Sequence, residues 1–130
     1  SNQALNISRE IGEEWSVSIC LNNLAEAYCK IGQIDKAMRH IKEAIQIAYK
    51  NEATRFLARF AVTAGRCYQL RGLAEVAKDL LRAALSHSSI EYDIREKALA
   101  YCKEIGIEEL PEEDDEKLGD VVGRIYDLDN

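Results

Sequence analysis

The stretch NNLAEAYCKIGQIDKAMRHIKEAIQI, residues 22–47, decides the fold of this chain. Its larger apolar side chains recur at intervals of three, four and seven residues, which is the spacing of one face of an α-helix. The pattern is interrupted at Gly32 and Gln33, where a tight turn is expected. Small residues stand where two helix backbones would come close, at Ala25, Ala37 and Ala44. The stretch therefore predicts a hairpin of two amphipathic helices.

The same arrangement recurs at an offset of 40 residues, which places Tyr28 on Tyr68 and Gly32 on Gly72. Ala4 stands 40 residues before Ala44, in a stretch that is typical of the end of the second helix of a repeat. A fixed period of this length indicates an array of helical repeats that begins partway through a repeat. The other equivalent pairs are Ala25 and Gly65, Ala37 and Ala77, Ile41 and Leu81, and Ala44 and Ala84.

The shared skeleton is a small residue, then Tyr, Gly, Ala and Ala at fixed spacings. It resembles the tetratricopeptide repeat (TPR) family, in the subclass whose repeats are about 40 residues long. The resemblance covers about residues 3–90. It implies an all-α fold, a right-handed α-solenoid of antiparallel helix pairs with about seven helices.

We expect a single TPR-like domain over residues 1–130, with Gly12 ending its first helix. The period fails after residue 90, so the next helix is expected to cap the array. The predicted segments are the second helix of a truncated repeat (3–12), two repeats (14–50 and 52–90), a capping helix or degenerate repeat (91–106), and an acidic linker with a C-terminal amphipathic helix (107–130).

Composition excludes several classes of partner. The formal net charge is −6, so the chain as a whole is not expected to bind nucleic acid or an anionic membrane. No apolar run approaches the roughly 20 residues that span a bilayer, and no signal-peptide pattern opens the sequence. These features predict a soluble, cytoplasmic protein.

The four cysteines lack the close pairing of a zinc or redox motif. Cys20, Cys67 and Cys102 occupy apolar helical positions, which favours buried, reduced thiols. No catalytic constellation, phosphate-binding loop or metal motif is present in the sequence. We therefore expect no enzymatic activity, no cofactor and no bound metal.

The resemblance also implies a concave groove that is lined by the first helix of each pair and binds a peptide. Arg55, Arg59 and Arg66 fall on one helical face by spacing alone, and guanidinium groups bind carboxylates or phosphates well. Alternatively, these arginines are solvated or pair with Glu26 and Glu52. The groove positions that the resemblance implies, taken together with this arginine face, give the candidate groove residues Asn22, Asn23, Glu26, Lys30, Arg55, Arg59, Arg66 and Gln69.

The sequence thus predicts a protein–protein interaction scaffold that binds a peptide or partner helix, as part of a larger regulatory or signalling protein. The arginine face favours an acidic ligand. The alternative is a module that self-associates into a homodimer, with the C-terminal tail capping or occupying the groove. In that arrangement the acidic run at residues 112–116 would lie against the arginines. The other interpretation of this run is a solvated linker.

Overall fold

A computed structural model describes the backbone of residues 2–129 and the side chains of residues 10–129. Within this part the chain forms helices and no strand, which confirms the predicted all-α class. Neighbouring helices pack against each other. The helices are α1 (Asn2–Lys30), α2 (Ile34–Lys50), α3 (Thr54–Leu70), α4 (Ala74–Ser86), α5 (Tyr92–Ile105) and α6 (Lys117–Ile125).

Helix α1 is one continuous helix of 29 residues, so the predicted break at Gly12 is wrong. The described part therefore holds six helices instead of about seven. A glycine inside a helix costs only about 1 kcal/mol relative to alanine, and the turns on both sides of Gly12 outweigh that cost. Within residues 2–129, no helix combines the length with the apolar composition that a bilayer crossing requires.

The turns after α1 and α3 have the same geometry. Gly32 and Gly72 adopt φ values of 80° and 88°, a left-handed conformation that residues with a Cβ rarely adopt. In each turn the following N–H donates to the carbonyl of a tyrosine five residues earlier, Gln33 to Tyr28 and Leu73 to Tyr68, both at 2.9 Å. This bond satisfies a carbonyl at the end of the helix. The offset of 40 residues therefore holds for the backbone of these two turns as well as for the sequence.

The core lies where each of the helices α1 to α5 packs on its neighbour in sequence, and where α6 packs on α4. The small residues of the repeat are fully buried in both helix pairs, as Ala37 and Ala44 illustrate, and Ile41 and its equivalent Leu81 are buried beside them. Phe60 of α3 has no exposed surface. Burial of these side chains supplies most of the free energy that holds the helices together.

Helix α6 packs on α4 and contacts α3 and α2, and in residues 2–129 it makes no contact with α1 or α5. Leu118, Val121 and Val122 are its buried apolar residues. Their i, i+3, i+4 spacing indicated that the segment needs an apolar surface, and α4 provides it. The tail therefore leaves the region where α1, α3 and α5 meet uncovered.

The acidic run does not lie against the arginines as the alternative interpretation predicted. The Asp114 N–H donates to the Ser86 carbonyl at 2.9 Å, and the Ser88 N–H donates to the Asp115 carboxylate at 2.8 Å. Hydrogen bonds from the Ser88 N–H and then from the Ser88 hydroxyl hold the pKa of Asp115 below its usual range. The run is otherwise exposed. It binds the C-terminal end of α4, where the last backbone carbonyl groups have no partner within the helix.

Candidate functional site

Helices α1, α3 and α5 enclose a cavity of about 250 Å³, the three-helix cavity. Each helix contributes residues at spacings of three or four, so one face of each helix points into it. The lining residues are Glu26, Cys29 and Lys30 from α1, Thr63, Arg66 and Leu70 from α3, and Lys97 and Tyr101 from α5.

Arg66 is held on the side of the cavity formed by α3 and α5. Its guanidinium donates to the Glu104 carboxylate at 2.6 Å and to the Gln69 side-chain oxygen at 3.0 Å. It also lies over the Tyr101 ring, 4.8 Å from the ring centroid, where a cation is attracted to the π electrons. The hydrogen bond and charge of Arg66 hold the pKa of Glu104 below its usual range, whereas burial raises the pKa of Tyr101.

Glu26 is the carboxylate that lines the cavity, and it is held from two helices. The Lys97 ammonium of α5 donates to one of its oxygens at 3.4 Å, and the Asn22 amide of α1 donates to the other at 3.2 Å. Asn22 is buried, and its side-chain oxygen has no hydrogen-bond partner among the described residues. The position of Glu26 is therefore set by an amide and a cation together.

The charge of the lining is positive. Lys30, Arg66 and Lys97 oppose the single carboxylate of Glu26, and Glu104 adds a second carboxylate next to Arg66. Lys30 is exposed in the last turn of α1 and forms no ion pair with any residue that the structure describes. A chain of formal net charge −6 thus has a local excess of cations at this cavity.

A second ion pair joins α3 to α5 near the cavity. Arg59 donates to the Glu91 carboxylate at 2.8 Å, and both side chains are about one-third exposed. Its Nε is buried and has no hydrogen-bond partner among the described residues. Arg59 and Arg66 therefore pair with Glu91 and Glu104, and not with Glu26 and Glu52 as one alternative interpretation of the sequence had it.

Four of the eight predicted groove residues lie at the three-helix cavity, and four lie outside it. Glu26, Lys30 and Arg66 line the three-helix cavity, and Gln69 joins it because its amide donates to Glu104 at 3.2 Å. The others lie outside the lining. Asn22 is buried behind Glu26, Arg59 pairs with the start of α5, Asn23 is exposed, and Arg55 is exposed beside the Phe56 ring.

Sequence reasoning missed the contribution of α5. Lys97, Tyr101 and Glu104 stand at i, i+4 and i+7, so they share one face of the helix. The helix was interpreted as a cap because the repeat period fails there, and no groove position was assigned to it. The spacing of the polar and aromatic residues in α5 was the signal in the sequence that could have identified this face.

The cysteines differ from the prediction at one position. Cys67 and Cys102 are buried as expected, but Cys20 is exposed, because it lies on the face of α1 that points away from α2 and α3. Cys29 is half-buried and lines the three-helix cavity. Burial raises the pKa of the Cys102 thiol.

Comparison of the chain with protein-family models, with curated protein sequences and with solved structures returned no match.

Proposed function

We propose that this chain is a protein-interaction module that binds an acidic peptide segment in the three-helix cavity. The observation that carries the proposal is the cavity lining, where three cations face one carboxylate beside an aromatic ring. Such a lining provides charge complementarity for a carboxylate and apolar surface for the rest of a side chain. The resemblance to tetratricopeptide repeats also supports the proposal, because it implies a peptide-binding groove lined by the first helix of each pair, and α1 and α3 both line this cavity.

The ion pairs around the cavity are suited to exchange with a ligand. The side chains of Arg66 and Glu104 are 28% and 53% exposed, and those of Lys97 and Glu26 are 39% and 31% exposed. Half-exposed pairs of this kind contribute little to stability because water competes for both partners. A carboxylate of the ligand can therefore replace Glu26 or Glu104 as a partner at small cost, while Lys30 offers a cation without an ion-pair partner in the described chain.

The test is a selection of random 12-residue peptides displayed on phage, followed by affinity measurements on the enriched sequences. We expect acidic peptides, because the cavity lining has a net positive charge. Lys30→Glu is expected to weaken binding about fivefold or more, since it reverses the charge of a lining cation that forms no ion pair with a described residue.

Lys103→Glu is the matched control. Lys103 is also an exposed lysine in the last turn of a helix, and it forms no ion pair with a described residue. It lies on a different face of α5 from Lys97 and Tyr101 because a helix turns about 100° per residue. The control should bind within about twofold of wild type. Enrichment of neutral or basic peptides, or equal weakening by both variants, would contradict the proposal.

A second candidate function is self-association through α1. Five exposed residues follow the alternating three- and four-residue spacing by which two helices pack side by side. They are Val17, Cys20, Leu24 and Ala27 in α1, and Ile31 directly after its end. The same surface on a second copy of the chain is complementary to it, as in a two-fold symmetric dimer. This face is separate from the three-helix cavity, so the two functions are compatible.

A further inference from the structure

Two cysteines from different helices meet at the floor of the three-helix cavity. The Sγ atoms of Cys29 in α1 and Cys67 in α3 are 3.2 Å apart, although the residues are 38 positions apart in sequence. The sulfurs of a disulfide are separated by about 2.05 Å. An approach of about 1 Å, which small side-chain rotations can supply, would therefore join them.

The two thiols have different access to solvent. Cys29 lines the cavity, so a small molecule in the cavity reaches its sulfur first. Cys67 has no exposed surface and lies behind it. The geometry thus resembles that of a reactive thiol backed by a resolving thiol.

The electrostatic environment also distinguishes the pair. The hydrogen bond with Cys67 lowers the pKa of the Cys29 thiol, and the nearby Arg66 guanidinium lowers it further. The same hydrogen bond and burial raise the pKa of Cys67. Cys29 is therefore the thiol that ionises more readily, and the thiolate is the nucleophilic form of cysteine.

We propose that Cys29 and Cys67 form a peroxide-reactive dithiol site that is oxidised to an intramolecular disulfide. The Cys29 sulfur attacks one oxygen of hydrogen peroxide, the O–O bond breaks, and the departing hydroxide takes a proton to become water. Cys29 is then a sulfenic acid. The Cys67 thiol loses its proton and its sulfur attacks the Cys29 sulfur, which forms the S–S bond and expels hydroxide as a second water.

In the net reaction, two thiols and one peroxide give one disulfide and two waters. Each sulfur loses one electron and the peroxide gains two. The product ties α1 to α3 beneath the lining of the cavity, and so changes the position of Cys29 within that lining. The site needs no peptide ligand, so it stands independently of the proposed function.

The experiment uses the full chain, reduced and then treated with a small excess of hydrogen peroxide. Intact mass and non-reducing peptide mapping are the readouts. We expect the protein to lose two hydrogen atoms and to give a linked peptide that contains Cys29 and Cys67. The bridge should form about tenfold or more faster in the folded chain than in denaturing urea, because folding holds the sulfurs together.

Variants assign the roles of the two thiols. Cys67→Ala should leave a Cys29 sulfenic acid that dimedone traps, whereas Cys29→Ala should leave Cys67 reduced over the same time. Cys20→Ser removes the exposed thiol and should leave the linked peptide unchanged. The wild-type mapping requires no variant to fold. Oxidation mainly at Cys20, or a bridge that forms equally fast in urea, would overturn the proposal.

Discussion

Replacing Gly65 with alanine tests how closely α3 and α4 approach. A Cβ at this position would lie 2.9 Å from both Cγ and Cδ2 of Leu81, and 3.5 Å from the carbonyl oxygen of Ala77. Leu81 is fully buried, and the clash involves its branch point, so the side chain cannot swing away into solvent. The added methyl must therefore push the two helices apart or force Leu81 out of its rotamer.

Two effects of opposite sign determine how Gly65→Ala changes the free energy of unfolding. Alanine is a better helix former than glycine by about 1 kcal/mol, whereas overpacking a filled core costs about 1–3 kcal/mol. Because the clash is with buried, branched carbon, we take the overpacking cost as about 2 kcal/mol. We therefore expect Gly65→Ala to lower the free energy of unfolding by about 1 kcal/mol.

Gly12→Ala is the control for helix propensity. Gly12 lies inside α1, and a Cβ there would have none of the described neighbouring atoms within 4 Å. This substitution should raise the free energy of unfolding by about 0.5–1 kcal/mol. Urea denaturation followed by circular dichroism measures both variants. If Gly65→Ala stabilised the chain as much as Gly12→Ala does, the close approach of α3 and α4 would be wrong.

A double variant tests the equivalence of the two helix pairs. Ala25 and Ile41 occupy in α1 and α2 the positions that Gly65 and Leu81 occupy in α3 and α4, and both are fully buried. Gly65→Ala combined with Leu81→Ile rebuilds that combination in the second pair. The double variant should regain part of the free energy of unfolding that Gly65→Ala loses, since the added methyl group then faces an isoleucine, which branches at a different carbon from leucine. A double variant less stable than Gly65→Ala alone would contradict the equivalence.

Two further predictions concern the surface. Arg66→Ala should raise the pKa of Glu104 toward its usual range, as measured by NMR titration of its side-chain carboxyl carbon; identical titrations in the two proteins would refute the pairing. Because the folded-state pKa of Glu104 is lowered, the stability it contributes is present above its unfolded-state pKa and lost as the pH falls through the folded value. In light scattering, the wild-type chain should be a dimer and Leu24→Glu a monomer, since Leu24 is central to the exposed stripe of α1. Leu110→Glu, at an exposed leucine of the linker, should remain dimeric, and a monomeric wild type would exclude the α1 interface.

The sequence predicted the helix pairs well because their pattern is local and repeated. The spacing around Gly32 and Gly72 indicated both the turns and the buried faces, since periodicity and glycine conformation depend on nearby residues. The break at Gly12 was predicted wrongly by the same reasoning. One glycine is a weak signal, and helix-forming residues on both sides of it decide the outcome.

The position of α6 could not be predicted in the same way. Its stripe of Leu118, Val121 and Val122 indicates that the segment needs an apolar surface, but it contains no information on which surface. That choice depends on the shape of the finished array and on the linker. The linker bonds at Asp114 and Asp115 bring α6 to α4.

The candidate site was predicted in part. Arg66 follows from helical spacing and Lys30 from the groove positions that the family resemblance implies, whereas Lys97 and Tyr101 lie beyond the point where the period fails. The pairing of Cys29 with Cys67 had no signal in the repeat, because their separation of 38 residues differs from the offset of 40. Contacts between non-equivalent positions arise only from the packing of α1 on α3.

The most direct test of acidic-peptide binding in the three-helix cavity is NMR chemical-shift mapping of the full chain with the tightest peptide from the selection. The account predicts saturable shifts concentrated at residues of the lining, including Lys30, Thr63, Arg66 and Tyr101. Shifts concentrated on α2, α4 and α6 would show that the peptide binds elsewhere, and would contradict the assignment of the site.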